Sequence, residues 1–337
     1  PNTFMKDVKC EICEGVDFYI YKYPLETFSL KKKILFGALR RYAVNTVKFF
    51  GRIIFTMFPN SWMSSTRKRI YGPYKRIQSF NEVFSTIVKL DKATRLFSNR
   101  NIAVCKNCDL GTVFPRITEA ELVNYYKNDY WIMNLGEIEP AESNRTIITL
   151  KLLDEAVGLS KVKQAIEFGS ASAHIARYIK SKINTIDFDI VDPGIIWKDV
   201  LKNEIRNAYN NTSEISIKYD LLVSSHALEH VSSIESYFIQ FKNLLNDNGY
   251  LYFEIPNSEE RELVFKENPD FHLPHTYFFT RKSFENIAKK YGFKIIFNKT
   301  FSRSYSERFS GKKHNIKSID ENPKGAYLRV LLQKVVK

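Results

Sequence analysis

Ala165-Ile-Glu-Phe-Gly-Ser-Ala-Ser-Ala-His-Ile-Ala-Arg-Tyr-Ile179 is the stretch whose reading decides the fold. It opens as a short buried strand, turns tightly at Gly169 through four small residues, and continues as a helix. A second stretch, Tyr219-Asp-Leu-Leu-Val-Ser-Ser-His-Ala-Leu-Glu-His-Val231, is another buried strand that runs into a polar loop. Strand ends, a small-residue turn and a helix N-terminus are how a doubly wound parallel sheet presents its ligand crevice. Further strands fit the same frame: Thr185-Ile-Asp-Phe-Asp-Ile-Val-Asp192, Tyr250-Leu-Tyr-Phe-Glu-Ile-Pro256, Lys294–Thr300 and Gly325–Lys334. Between them, Phe238–Asn248 and Arg281–Tyr291 read as helices, each followed by glycine, Gly249 and Gly292. The third strand is poorly marked, because Asn210-Asn-Thr-Ser213 passes almost directly into Tyr219-Asp220.

The 337 residues are 44% hydrophobic and 26% charged, enough for more than one structural unit. No uncharged apolar run of about 18 residues occurs and no signal peptide is visible, so a cytoplasmic location is expected. The net charge of +14 is concentrated: residues 22–100 hold 17 Lys and Arg against Glu26, Glu82 and Asp91, and the remainder is balanced. Within that segment, Phe36, Leu39, Ala43, Val47, Phe50, Ile54 and Met57 share a helical face beside an arc of Lys33, Arg40, Arg41, Lys48 and Arg52, and Pro59 ends the run. Arg67-Lys-Arg69 and Lys75-Arg76 follow, interleaved with Tyr71 and Tyr74. This face could pack on the body of the protein. The excess charge points equally to an anionic partner for residues 29–76: a membrane at whose inner face the protein is peripheral, or less favourably a nucleic acid, which needs no Phe- and Ile-rich face.

All four cysteines fall in two knuckles, Cys10-x-x-Cys13 and Cys105-x-x-Cys108. Unrelated thiols or a redox pair would leave the same letters. Two copies with none to spare favour a structural zinc held by four thiolates, for which residues 14–104 loop out and return. Pro115 and Thr118-x-x-Glu121 then predict a turn and a capped helix.

Together these segments resemble the class I S-adenosylmethionine (SAM)-dependent methyltransferases, and the passage from Cys108 to Trp131 resembles a subgroup with an N-terminal zinc-binding module that includes sugar methyltransferases. The resemblance implies an α/β fold: a doubly wound, seven-stranded Rossmann-like sheet over 131–337 with an antiparallel last strand. A small zinc-binding module would occupy 1–21 and 101–130, with a helical basic insertion over 22–100. The family's glycine-rich turn appears as Glu167-Phe-Gly169-Ser-Ala171-Ser-Ala173, with alanine at two glycine positions. By resemblance, Glu167 serves the cofactor's amino group, and Gly169, Ser170 and Ala171 approach its methionine part. Asp192, or by spacing Asp189, accepts the ribose hydroxyls. Ser225 and His226 close the site after the fourth strand. The family's glycine after the second knuckle is Asp109 here, and its acidic adenine-contacting loop is not evident.

His226-x-x-Glu229-His230 also spells an inverted zinc-protease motif. That chemistry needs the three residues on one helix, whereas here they follow an apolar strand. No Asn/Asp-Pro-Pro-aromatic sequence of base N-methyltransferases stands at this position. In the acceptor half, Phe271-His-Leu-Pro-His275 matches a family segment whose histidine is implicated as base, although Pro274 replaces the preceding Glu. His275 is therefore the expected catalytic residue, ahead of His272, since an imidazole titrates near neutrality. The expected reaction is methyl transfer to a sugar, nucleotide-linked or in a surface or lipid-linked glycan. An RNA or protein methyltransferase docking through the basic segment, and a degenerate membrane-bound scaffold, remain the alternatives.

Overall fold

A computed structural model describes residues 8–23, 95–127, 141–193, 201–267, 275–309 and 320–336. Nearly all of the basic segment lies outside the described residues, and so does His272; the amphipathic helix expected within 29–58 is not addressed. Among the described residues no helix is long and apolar enough to cross a membrane.

Two sheets organise the chain. The larger contains β4 (Gln164–Phe168), β5 (Asp187–Val191), β6 (Asn207–Tyr209), β7 (Tyr219–Ser225), β8 (Leu245–Pro256), β10 (Phe293–Phe301) and β11 (Tyr327–Lys334). Its order is β10-β11-β8-β7-β4-β5-β6. β6, β5, β4, β7 and β8 pair in parallel, and β11 inserts antiparallel between β8 and β10, as the resemblance implies. The strand order reverses between β4 and β7, which is where a doubly wound sheet opens a crevice. Side chains of β7 alternate across the sheet. Leu222 joins Phe238, Phe241 and Phe284 on one face, while Leu221 and Val223 join Ile175, Ile179 and Leu153 on the other. Those layers come from α4 (Ile234–Leu244) and α5 (Arg281–Tyr291), and from α2 (Asn144–Val157) and α3 (His174–Lys182).

Local signals set most boundaries. α5 begins at a Thr280/Ser283 capping box and stops at Gly292, whose φ of 71° is left-handed. The expected helix after Pro115 is α1 (Glu119–Tyr125), with the Thr118/Glu121 box in place. α4 ends earlier than expected. Leu245 is already extended and pairs with Tyr219, so the chain enters β8 four residues before Gly249. A cap contributes about 1 kcal/mol, whereas burying one phenylalanine contributes about 1.5–3 kcal/mol. The aromatic packing of Phe238 and Phe241 therefore governs α4 more than its ends do.

The second sheet is antiparallel, in the order β1-β2-β3-β9, from β1 (Phe18–Lys22), β2 (Asn101–Cys105), β3 (Gly111–Phe114) and β9 (Tyr277–Phe278). β9 comes from the stretch expected to belong wholly to the larger sheet's domain. The small sheet thus takes in the two residues that follow His275 and Thr276.

Candidate active site and metal centre

The two cysteine knuckles have the same backbone. Cys10 O accepts from Glu14 N and Cys105 O from Asp109 N, while Cys10 N donates to Gly15 O and Cys105 N to Leu110 O, all at 2.9 Å. Glu14 and Asp109 take left-handed φ values of 59° and 60°. That conformation favours glycine and is tolerated by aspartate, which explains how Asp109 fills the family's glycine position. The four Sγ atoms lie within 4.8 Å of one another. Cys10 and Cys108 are 3.4 Å apart, as are Cys13 and Cys105. Thiolates around zinc stand about 3.8 Å apart, given Zn–S bonds of about 2.3 Å. The cluster therefore fits a tetrahedral ion and not a disulfide. Between the first two ligands, Glu11 docks the knuckle onto the sheet layers. Its carboxylate accepts from Ser233 Oγ and Glu235 N at 2.7 Å and from the Tyr277 hydroxyl at 2.6 Å, and pairs with Arg116.

A cavity of about 1710 Å³ opens at the carboxyl ends of β4, β5 and β7. Gly169, Ser170 and Ala171 form its turn. Gly169 has φ 66°, and a Cβ there would sit 2.1 Å from the Ala227 Cβ, so only glycine fits. Ala171 and Ala173 hold φ values of 46° and 54°. Both are left-handed without glycine's freedom, at a conformational cost of about 1–2 kcal/mol each. α3 has no side-chain cap of its own. Instead the Glu167 carboxylate, at the end of β4, accepts from Ala176 N at 2.8 Å. Burial first, then the nearby Asp192 charge, push Glu167 up to about 8, against the helix amides of Ala176 and Ile175. Asp192, also lining the cavity, accepts from Ala171 N at 3.0 Å and so ties the turn to the end of β5.

Asp189, the alternative ribose carboxylate, is placed elsewhere. It is fully buried and does not line the cavity. Arg206 Nε and Nη2, Asn207 N and Nδ2, and the Tyr219 hydroxyl all donate to it at 2.7–3.1 Å. It sits at the middle of β5, two residues before the strand's end, where it braces β6 and β7. The weakly marked third strand is β6, lying before the Asn210–Ser213 stretch, which itself lines the cavity. Only three residues long and partly exposed, β6 carries little hydrophobic signal.

Ser225 and His226, at the end of β7, line the cavity as well. After β7 the chain makes a 3-10 turn over Leu228–His230, not a helix. The turn nonetheless gathers the letters of His-x-x-Glu-His around a buried carboxylate. From Glu229 Oε1, His226 Nδ1 is 3.2 Å away, His230 Nε2 3.8 Å and His275 Nε2 3.9 Å. Burial pushes Glu229 up, but the surrounding imidazoles outweigh it and hold it at about 2. His275 is delivered by neighbouring bonds: Thr276 Oγ1 donates to Glu229 O and Val231 O, Thr276 N to Glu229 O, and the Tyr23 hydroxyl to His275 O. Behind His226, Glu254 is buried between Arg329 (2.6 Å) and Arg145 (2.9 Å). Arg145 and Glu229 were not assigned roles from the sequence. Arg145 lies in no motif, whereas the 226/229/230 spacing does mark Glu229 once the backbone is known to turn.

Residues 143–297 match the model of a family described as a methyltransferase domain. That span runs from the cap of α2 into β10 and contains the turn, Asp192, Glu229 and His275. No curated protein matches the chain. Among solved structures, the chain is similar to a SAM-dependent methyltransferase of Thermotoga maritima, described as a possible histamine N-methyltransferase: 17% identity over 56% of this chain and 89% of that one, TM-score 0.43. It is also similar to human N-acetylserotonin methyltransferase in complex with SAM (12% identity, 65% and 57%, TM-score 0.40) and to a SAM-dependent methyltransferase of Clostridium acetobutylicum (11%, 58% and 93%, 0.41). The family match supports an enzyme with a methyltransferase domain over residues 143–297.

Proposed function

We propose that this methyltransferase moves the methyl group of SAM to an oxygen or carbon of a sugar, free, nucleotide-linked or lipid-linked. The observation that carries this reading is one continuous cavity with chemically distinct ends. One end has the Gly169 turn, the α3 N-terminus and the Glu167 and Asp192 carboxylates; the other is lined by His226 and His230, with Glu229 and His275 buried directly behind them. SAM supplies an electrophilic methyl on a sulfonium. The Gly169-Ser170-Ala171 turn would lie against its methionine part, Glu167 would favour its cationic amino group, and Asp192 would accept the ribose hydroxyls. Catalysis is then mainly alignment of donor and acceptor. The acceptor's proton leaves at the Glu229 cluster, with His275 its first recipient. Asn211, Ser213, Ser232, Ser236, Gln240 and Asn243 line the cavity with neutral hydroxyl and amide groups, which suits a hydroxyl-rich acceptor. Zinc in the four-cysteine cluster would be structural, because four thiolates leave no open position.

Calorimetry with SAM followed by a screen of sugar nucleotides for methyl transfer tests this. One SAM site per chain and turnover of a sugar are expected. Absence of SAM binding at millimolar concentration rejects the catalytic reading, and turnover only of RNA or protein rejects the sugar.

A further inference from the structure

We propose that Glu229, His230 and His275 form a divalent-cation site at the acceptor end of the cavity, distinct from the four-cysteine cluster. One carboxylate oxygen and two imidazole nitrogens converge there, all within 4.8 Å of one another. Glu229 is 1% exposed, and neither of its carboxylate oxygens has a hydrogen bond. His226 Nδ1 approaches at 3.2 Å but off the hydrogen-bond line. A buried carboxylate is normally satisfied by two or more donors, as Asp189 is in this same protein. An unsatisfied one facing three imidazoles is the arrangement a cation completes.

The donor set is borderline in softness and suits Zn²⁺, Mn²⁺, Fe²⁺ or Co²⁺ over Mg²⁺ or Ca²⁺. Ligand atoms about 2.1 Å from an ion stand roughly 3.0–3.4 Å apart. His230 and His275 need therefore close by about half an ångström, within reach of a small ring rotation. The backbone is already fixed for this. Thr276 clamps the His275 segment to the carbonyls of Glu229 and Val231, and the His230 and His275 rings meet edge to face at 4.8 Å. His226 stands between the two carboxylates, 3.2 Å from Glu229 and 3.6 Å from Glu254. Three protein ligands leave at least one position open, and His230 lines the cavity, so the open side faces the acceptor. A coordinated acceptor hydroxyl would be both placed and acidified.

The inference deepens the proposed function: it rests on that reading for the identity of the acceptor, and in the loaded enzyme His275 is a ligand while His226, which lines the cavity, takes the acceptor's proton in its place. Its test uses the zinc-loaded full-length protein and Mn²⁺, a hard ion that avoids thiolates, followed by electron paramagnetic resonance of free Mn²⁺. One bound Mn²⁺ per chain is expected. Glu229→Gln and, independently, His230→Ala should each weaken binding at least tenfold, with folding checked by circular dichroism. The proposal is overturned if the wild type leaves millimolar Mn²⁺ and Co²⁺ free, or if the folded variants bind as the wild type does. SAM calorimetry on the same samples separates the two readings. SAM bound without Mn²⁺ removes only the cation site; Mn²⁺ bound without SAM removes methyl transfer and leaves the site standing.

Discussion

Glu167 ties the end of β4 to the start of α3. It caps α3 from outside the helix, yet burial and Asp192 push it up to about 8, so the ligand-free protein holds it largely protonated at neutral pH. A folded-state value above the unfolded one means the folded protein binds the extra proton. That contribution to stability is complete below the ordinary carboxyl range and is lost as pH rises through about 8. A cationic ligand beside Glu167 favours the carboxylate and releases the proton. SAM affinity should therefore rise between about pH 6 and 9, by at most about tenfold per pH unit, and Glu167→Gln should flatten the profile. Calorimetric affinities across that range decide it; a flat wild-type profile removes Glu167 from the cofactor site.

Among the elements, β9 does the most for its length. Its two residues pair with β3, and they immediately follow His275 and Thr276. β3 in turn is tied through β2 to Cys105 and the second knuckle. The four-cysteine cluster therefore holds the frame that delivers His275 to Glu229, while the Gly169 turn rests on β4, β5 and β7. Cys105→Ser, or metal removal by a chelator, should split the two functions. SAM affinity is expected to stay within about twofold, and methyl transfer to fall by about 10–100-fold, as when the support of a site is lost. Parallel loss of SAM binding would show that the cluster supports the whole molecule.

For the whole molecule, charge is the main unused signal. Residues 29–76 carry twelve Lys and Arg and no acid. Such a segment gains about 1 kcal/mol per cation near an anionic lipid surface, an attraction that salt screens. We propose that it docks the enzyme on anionic membranes. The full chain should float with vesicles containing phosphatidylserine or phosphatidylglycerol at low salt and less at high salt, and a chain lacking residues 29–76 should not. Equal flotation of both chains sinks the lipid partner, and salt-sensitive capture of RNA in its place would favour the nucleic-acid arm.

The sequence by itself determined what neighbours along the chain decide. Apolar runs gave the strands, Gly169 and Gly292 the turns, Thr118 and Glu121 the cap, and paired spacing the cysteine knuckles. The sheet and the Gly169 turn were legible for that reason. Tertiary structure alone decided which polar groups meet. Asp189 is consumed by Arg206 and Tyr219, β9 leaves the large sheet for the small one, and Glu229 finds His275 across 46 positions of chain. A side chain's partners, burial and charge depend on residues remote in sequence, and no local pattern carries that information.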